Sequence, residues 1–142
     1  MRLARQFVAA AVFLLASGCM GPPYDPARAT RPYPTDLERL EMVDIQVFRE
    51  GIHLEIVNAT AHSYEDVTLW LNRRFALASP PLPAGKTTRI RLWDFYDERG
   101  EVFNAGGFFR TRRPTPVRLM EIEANDGSGM IGLITNRAER RE

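Results

Sequence analysis

The sequence predicts an all-β fold, a sandwich or small barrel of about seven or eight short strands. Apolar residues recur with period two through most of residues 37–137, and turn-forming residues interrupt these runs at short intervals. The stretch Ser79-Pro80-Pro81-Leu82-Pro83-Ala84-Gly85 cannot continue a ladder, because proline lacks the backbone donor, so it reads as a loop between strands.

In chain order, Thr35-Asp36-Leu37-Glu38 has the form of a capping box, and a short helical turn is expected there. Val43, Ile45 and Val47 alternate with Asp44, Gln46 and Phe48. Ile52, Leu54 and Ile56 alternate with His53 and Glu55, and the turn Arg49-Glu50-Gly51 makes the two runs a hairpin. After the polar turn Asn58–Ser63 comes a third strand, with Val67, Leu69 and Leu71 alternating with Thr68, Trp70 and Asn72. Phe75–Ala78 reads as a short edge strand, and Thr88, Ile90 and Leu92 mark another that reaches Trp93. Asp97-Glu98-Arg99-Gly100 is a turn followed by Val102 and Phe103. Val117 and Leu119 alternate with Arg118, Met120 and Ile122; Asn125–Gly129 then turns the chain into the run Met130–Ile134. Asp126-Gly127 supplies the positive φ that a tight hairpin needs.

Two stretches sharpen the architecture by resemblance. Leu54–Thr60 with Asp66–Leu69, and later Phe95–Val102, resemble the Asn-x-Ser/Thr turn and the Tyr-Asp-x-x-Gly hairpin of immunoglobulin-like FxLYD-type domains of bacterial envelope proteins. The resemblance covers about half of the domain. It implies an immunoglobulin-like β-sandwich used for interaction, with no catalytic residues to carry over. An extra strand and the proline loop separate the two motifs here, which departs from the family pattern.

The N-terminus has another character. Arg2 and Arg5 precede the apolar run Phe7–Ala16, and the small residues Ser17 and Gly18 precede Cys19, the layout of a secretory signal peptide. The apolar run is about half of the ~20 residues needed to cross a bilayer. Ala16-Ser17-Gly18-Cys19 resembles a bacterial lipobox, which implies cleavage between Gly18 and Cys19 and lipid on the Cys19 sulfur, with Ala16 standing where leucine is usual. Cys19 is the one cysteine of the chain. A lone thiol in an exported protein has no intramolecular partner, and acylation removes that liability. Met20 follows Cys19 in place of aspartate, which by the same resemblance implies an outer-membrane address facing the periplasm.

The expected organisation is a cleaved signal peptide over 1–18, a lipidated N-terminus and proline-rich tether over 19–36, a β-sandwich over 37–137 and a charged tail over 138–142. Five of the ten prolines fall within residues 20–36, and their expected effect is a semi-extended spacer reaching about 50 Å. Cleavage would remove Arg2 and Arg5 and leave seventeen basic against eighteen acidic residues, a formal charge of −1. That balance argues against a nucleic-acid partner.

No constellation for catalysis stands out. Ala84-Gly85-Lys86-Thr87-Thr88 mimics the end of a phosphate-binding loop, but Pro80 occupies the place of its first glycine and strand pattern follows it, so no nucleotide is expected. His53 and His62 are too few for a metal site of their own, even with Glu55, Glu65 and Asp66 nearby. Ser63 is only a sequence neighbour of His62. Asn58-Ala59-Thr60 reads as a turn before it reads as a glycosylation acceptor, and Asp126–Gly129 as a hairpin before a calcium loop. The aromatics leave two possibilities. Trp70 and Trp93 alternate away from the aliphatic face, and with Tyr64 and Phe95 they would form an exposed ligand patch; alternatively the tether, or the loop Gly106-Gly107-Phe108-Phe109, covers that sheet and buries them. The expected function is therefore a non-enzymatic, cofactor-free lipoprotein of the cell envelope. It would be held to the membrane through Cys19 and bind another envelope protein, or alternatively act as a glycan- or peptidoglycan-binding accessory through its aromatics.

Overall fold

A computed structural model describes residues 24–107, 112–124 and 126–136. Gly18, Cys19, residues 108–111 and residues 137–142 lie outside these residues. Nine strands form among the described residues: β1 (Arg39–Leu40), β2 (Ile45–Glu50), β3 (His53–Asn58), β4 (Thr68–Leu71), β5 (Phe75–Ala78), β6 (Thr87–Arg91), β7 (Met120–Glu123), β8 (Met130–Gly132) and β9 (Ile134–Asn136). They make two mixed sheets, ordered β1-β8-β7-β4-β5 and β6-β3-β2-β9.

The all-β sandwich read from the sequence is the observed architecture. Hairpin β2-β3 lies in one sheet and hairpin β4-β5 in the other; the chain then returns to place β6 beside β3 and crosses again to place β7 beside β4, before turning into β8. This alternation between sheets is the Greek-key connectivity of an immunoglobulin-like sandwich. Period-two alternation decides what lies inside. Ile45, Val47, Leu54, Ile56 and Ile90 of one sheet face Leu69, Leu71, Phe75, Met120 and Ile122 of the other. Leu92, Phe95, Phe103 and Leu133 close the core, with Phe75 and Phe103 edge to face at 5.2 Å.

Several local expectations shift. The β2-β3 turn is Gly51-Ile52, with Glu50 opposite His53, so it lies further along the chain than the Arg49-Glu50-Gly51 reading. Thr35–Glu38 forms no helical turn; a 3-10 turn forms instead at Pro26–Arg28, where the Asp25 carboxylate accepts from the Ala27 N–H at 3.1 Å and Pro26 takes the first helical position. The strand expected to reach Trp93 ends at Arg91, and Leu92–Asp94 is a 3-10 turn. Val117 and Leu119 precede β7, whose inward residues are Met120 and Ile122.

The run Met130–Ile134 divides into two strands that belong to different sheets. Leu133 is buried, and its N–H donates to the Met120 carbonyl; Ile134 then pairs with Gln46 in parallel. At the crossing the Gly132 carbonyl accepts from the Val43 N–H at 3.2 Å, and the exposed Met42 side chain packs against the glycine.

The largest correction concerns the tether. Residues 24–38 do not stand clear of the domain. They form a strap that starts at the Gly100-Glu101 turn, crosses the outer face of the β8-β7-β4-β5 sheet and ends in β1, which pairs in parallel with β8. The folded unit therefore includes residues 24–36 of the expected tether. The physical reason is that prolines remove backbone donors without removing side-chain contacts, and Arg31, Tyr33 and Leu37 all find partners on the sheet.

Candidate functional site

The outer face of the strap-covered sheet carries Trp70 on β4, Ala76 on β5, Glu121 and Glu123 on β7, and Met130 on β8. Pairing register brings them together: Trp70 lies opposite both Ala76 and Glu121, and Glu123 lies opposite Met130. On a solvated face these two carboxylates would be ordinary surface charges, yet Glu121 is 4% and Glu123 9% exposed. The strap supplies what their burial requires. The Tyr33 hydroxyl donates to Glu121 at 2.8 Å and Arg39 donates to its other oxygen at 2.7 Å, with Arg73 at 3.7 Å. Arg31 pairs with Glu123, whose second oxygen accepts the Trp70 indole N–H at 2.6 Å. The Tyr33 ring meets Trp70 edge to face at 5.3 Å and the Arg31 guanidinium lies 5.4 Å from the indole. Burial, followed by the Glu121 carboxylate, raises the Tyr33 phenol above its ordinary value of 10.0.

Both ends of the strap rest on glycines in the left-handed region. The Asp25 N–H donates to the Gly100 carbonyl at 2.9 Å, and a Cβ on Gly100 (φ +82°) would stand 2.3 Å from the Asp25 carbonyl oxygen. At the other end the Met130 N–H donates to Glu38, and a Cβ on Gly129 (φ +139°) would stand 2.6 Å from the Glu38 carbonyl oxygen. Only a residue without a side chain lets two backbones approach so closely.

Next to the strap, Asp97 organises a second polar knot. One carboxylate oxygen accepts the N–H groups of Arg99 and Glu101, closing the turn, and the other accepts Arg74 at 2.7 and 3.0 Å. Arg74 also pairs with Glu101 and stacks on Phe75 at 4.9 Å. Burial opposes the charge on Asp97, but the Arg74 guanidinium and the two backbone donors outweigh it and hold the carboxyl below its ordinary value of 3.8. The same bonds raise Arg74. Between this knot and the strap lies an open groove of about 290 Å³, lined by Pro32, Tyr33, Arg73, Arg74, Asp97 and Arg99 among others. Arg73 is turned toward it by a β4-β5 turn in which Asn72 and Arg73 both have positive φ. Asn72 is fixed there by its side-chain bonds to Pro116, Arg118 and Leu119.

The four aromatics expected to form a ligand patch do not do so. Trp70 is wholly buried beneath the strap, and Phe95 is wholly buried between the sheets. The alternation that pointed Trp70 away from the core is correct, but the strap occupies that side. Trp93 is half-buried against the core at the Ile52 end of the sandwich. Tyr64, also half-buried, exchanges backbone bonds with Leu82 at the Asn58 end. The glycan reading thereby loses the surface that motivated it.

The other singled-out residues have structural partners. Asn58 is 1% exposed; its amide donates to the carbonyls of His62 and Leu82 and its oxygen accepts from Thr60, so the Asn-x-Thr motif is a buried turn. The Ser63 hydroxyl accepts from the Ala84 N–H, and Ala84–Lys86 turns directly into β6. His53 lies beside Arg89 on a strand, while His62 lies in the distant Asn58 turn. Among the described residues no three His, Cys, Asp or Glu side chains gather as a metal-binding group. Sequence reasoning missed Arg31, Tyr33, Arg39, Glu121 and Glu123. The available signal was two glutamates spaced two apart in an apolar strand, together with arginine and tyrosine among the prolines.

No protein-family profile matches the chain, and no curated protein or solved structure matches it.

Proposed function

We propose that this chain is a lipid-anchored lipoprotein of the cell envelope, whose β-sandwich serves as a non-catalytic protein-interaction or structural module. The observation that carries the reading is the string Ala16-Ser17-Gly18-Cys19 behind a charged and then apolar leader. Two or three acyl chains on Cys19 would hold the protein durably where one would not. The chemistry of the folded part agrees with an interaction role. Among the described residues, the buried polar side chains Asp97, Glu121, Glu123 and Asn58 are each engaged in holding a turn or the strap. Met20 after the cysteine favours the outer membrane, facing the periplasm.

Two measurements test this. Mass spectrometry of the N-terminal peptide from native membranes should find acylated Cys19, and Cys19→Ser should release the protein into the soluble fraction. An unmodified thiol on a membrane-free protein would refute the anchor. Crosslinking in living cells with the wild-type chain should recover a specific envelope protein; recovery of none counts against the interaction role.

A further inference from the structure

The strap changes how far the folded domain can stand from its anchor. Tyr24 is already bridged to Glu101, and Asp25 is bonded to Gly100, so the domain is held to within five residues of Cys19. Five Cα steps reach at most about 18 Å when fully extended. The headgroup layer on one side of a bilayer takes up roughly 5–8 Å of this. A free proline spacer would have allowed the domain to tumble well clear of the lipid, whereas here about 10–13 Å remains at most.

Which surface meets the membrane follows from where the leash enters. Strand registers define two ends of the sandwich. Asn72–Arg74, Gly51-Ile52 and the turn at residues 97–101 lie at one; Asn58–Ser63, Ala84–Lys86 and residues 126–128 lie at the other. Tyr24 joins the first end along the β5 edge. It is 61% exposed, one of the few large apolar side chains the described residues leave in solvent. Glu98 and Arg99 of the neighbouring turn are exposed as well. An amphipathic ring suits the interfacial layer, where tyrosine lies with its hydroxyl in water and its ring against lipid.

We propose that Tyr24 and the turn at residues 97–101 form the membrane-facing surface of the domain, seated on the headgroups of the bilayer that holds Cys19. This rests on the reading that Cys19 carries lipid. The sandwich then stands end-on, and its opposite end, with the Asn58–Ser63 and 126–128 turns, points away from the membrane toward partners.

The test uses the full-length lipidated protein in phosphatidylethanolamine–phosphatidylglycerol vesicles that contain a headgroup-region nitroxide lipid. Acylation of Cys19 leaves an introduced thiol as the sole labelling site, and Glu98→Cys and Ser128→Cys both replace exposed residues. A fluorophore at position 98 should be quenched several-fold more than one at position 128. Equal quenching at the two positions, or stronger quenching at 128, overturns the proposal. Mass spectrometry of Cys19 in the same samples separates the two ideas: an acylated cysteine with equal quenching defeats this orientation alone, and an unmodified cysteine defeats the anchor as well.

Discussion

Tyr33 connects the two polar halves of the strap contact, because its ring covers Trp70 while its hydroxyl satisfies Glu121. These roles separate by mutation. Tyr33→Phe keeps the ring and removes one donor from a carboxylate that retains Arg39, so it should cost about 1 kcal/mol. Tyr33→Ala also uncovers the indole and should cost about 3 kcal/mol. Urea unfolding measures both, and only the alanine variant should move native tryptophan emission to longer wavelength. Asp97 makes a pH prediction. Its folded value is depressed, so its contribution is complete above the unfolded carboxyl value near 4 and is lost as pH falls through the lower folded value. Asp97→Asn should flatten that acid limb and cost about 2 kcal/mol at neutral pH, because Arg74 loses one of its two charged partners and keeps only Glu101. Tyr33 acts at the other extreme. Its raised folded value means that its contribution is whole below pH 10 and is lost as pH rises beyond it. Sequence pointed to Asp97 and Asn58 through their turn motifs, since turn chemistry is local. It did not point to Glu121 and Glu123, whose strap partners lie more than eighty residues away.

Among the elements, the strap depends most on backbone approach. Gly129→Ala should lift the strap from β8 and Gly100→Ala should dislodge its start, each costing about 2 kcal/mol or more from the forced contact and the positive φ. Hydrogen exchange reads this directly. The Met130 amide, which donates to Glu38, should lose protection in the first variant, and the Asp25 amide in the second, while β2 and β3 amides keep theirs. Unchanged exchange would show that the strap does not need these approaches. The strands were legible because period-two alternation is written into each segment separately, as in Ile45, Val47, Leu54 and Ile56. The strap was not, because its fifteen residues, 24–38, hold three prolines and few aliphatics. Its stabilisation comes from ion pairs and aromatic contacts that belong to no periodic pattern. Ile134 likewise reads as part of the β8 run until its pairing with Gln46 is known.

At the scale of the molecule, two sheets share one core and the strap closes the outer face of one of them. A domain of this size with a single core is expected to unfold in one cooperative transition. Tryptophan emission, which reports on the strap through Trp70, and far-ultraviolet circular dichroism, which reports on the sheets, should therefore share one urea midpoint. A strap that melted first would separate them. The sequence by itself determined the all-β class, most strand positions and the turn motifs, because alternation and turn chemistry are properties of short segments. Only the tertiary structure decided that Trp70 is buried, that residues 24–38 belong to the domain, and that Ile134 crosses to the second sheet. Each of these depends on which distant surface a segment meets, and that follows from the packing of the whole chain.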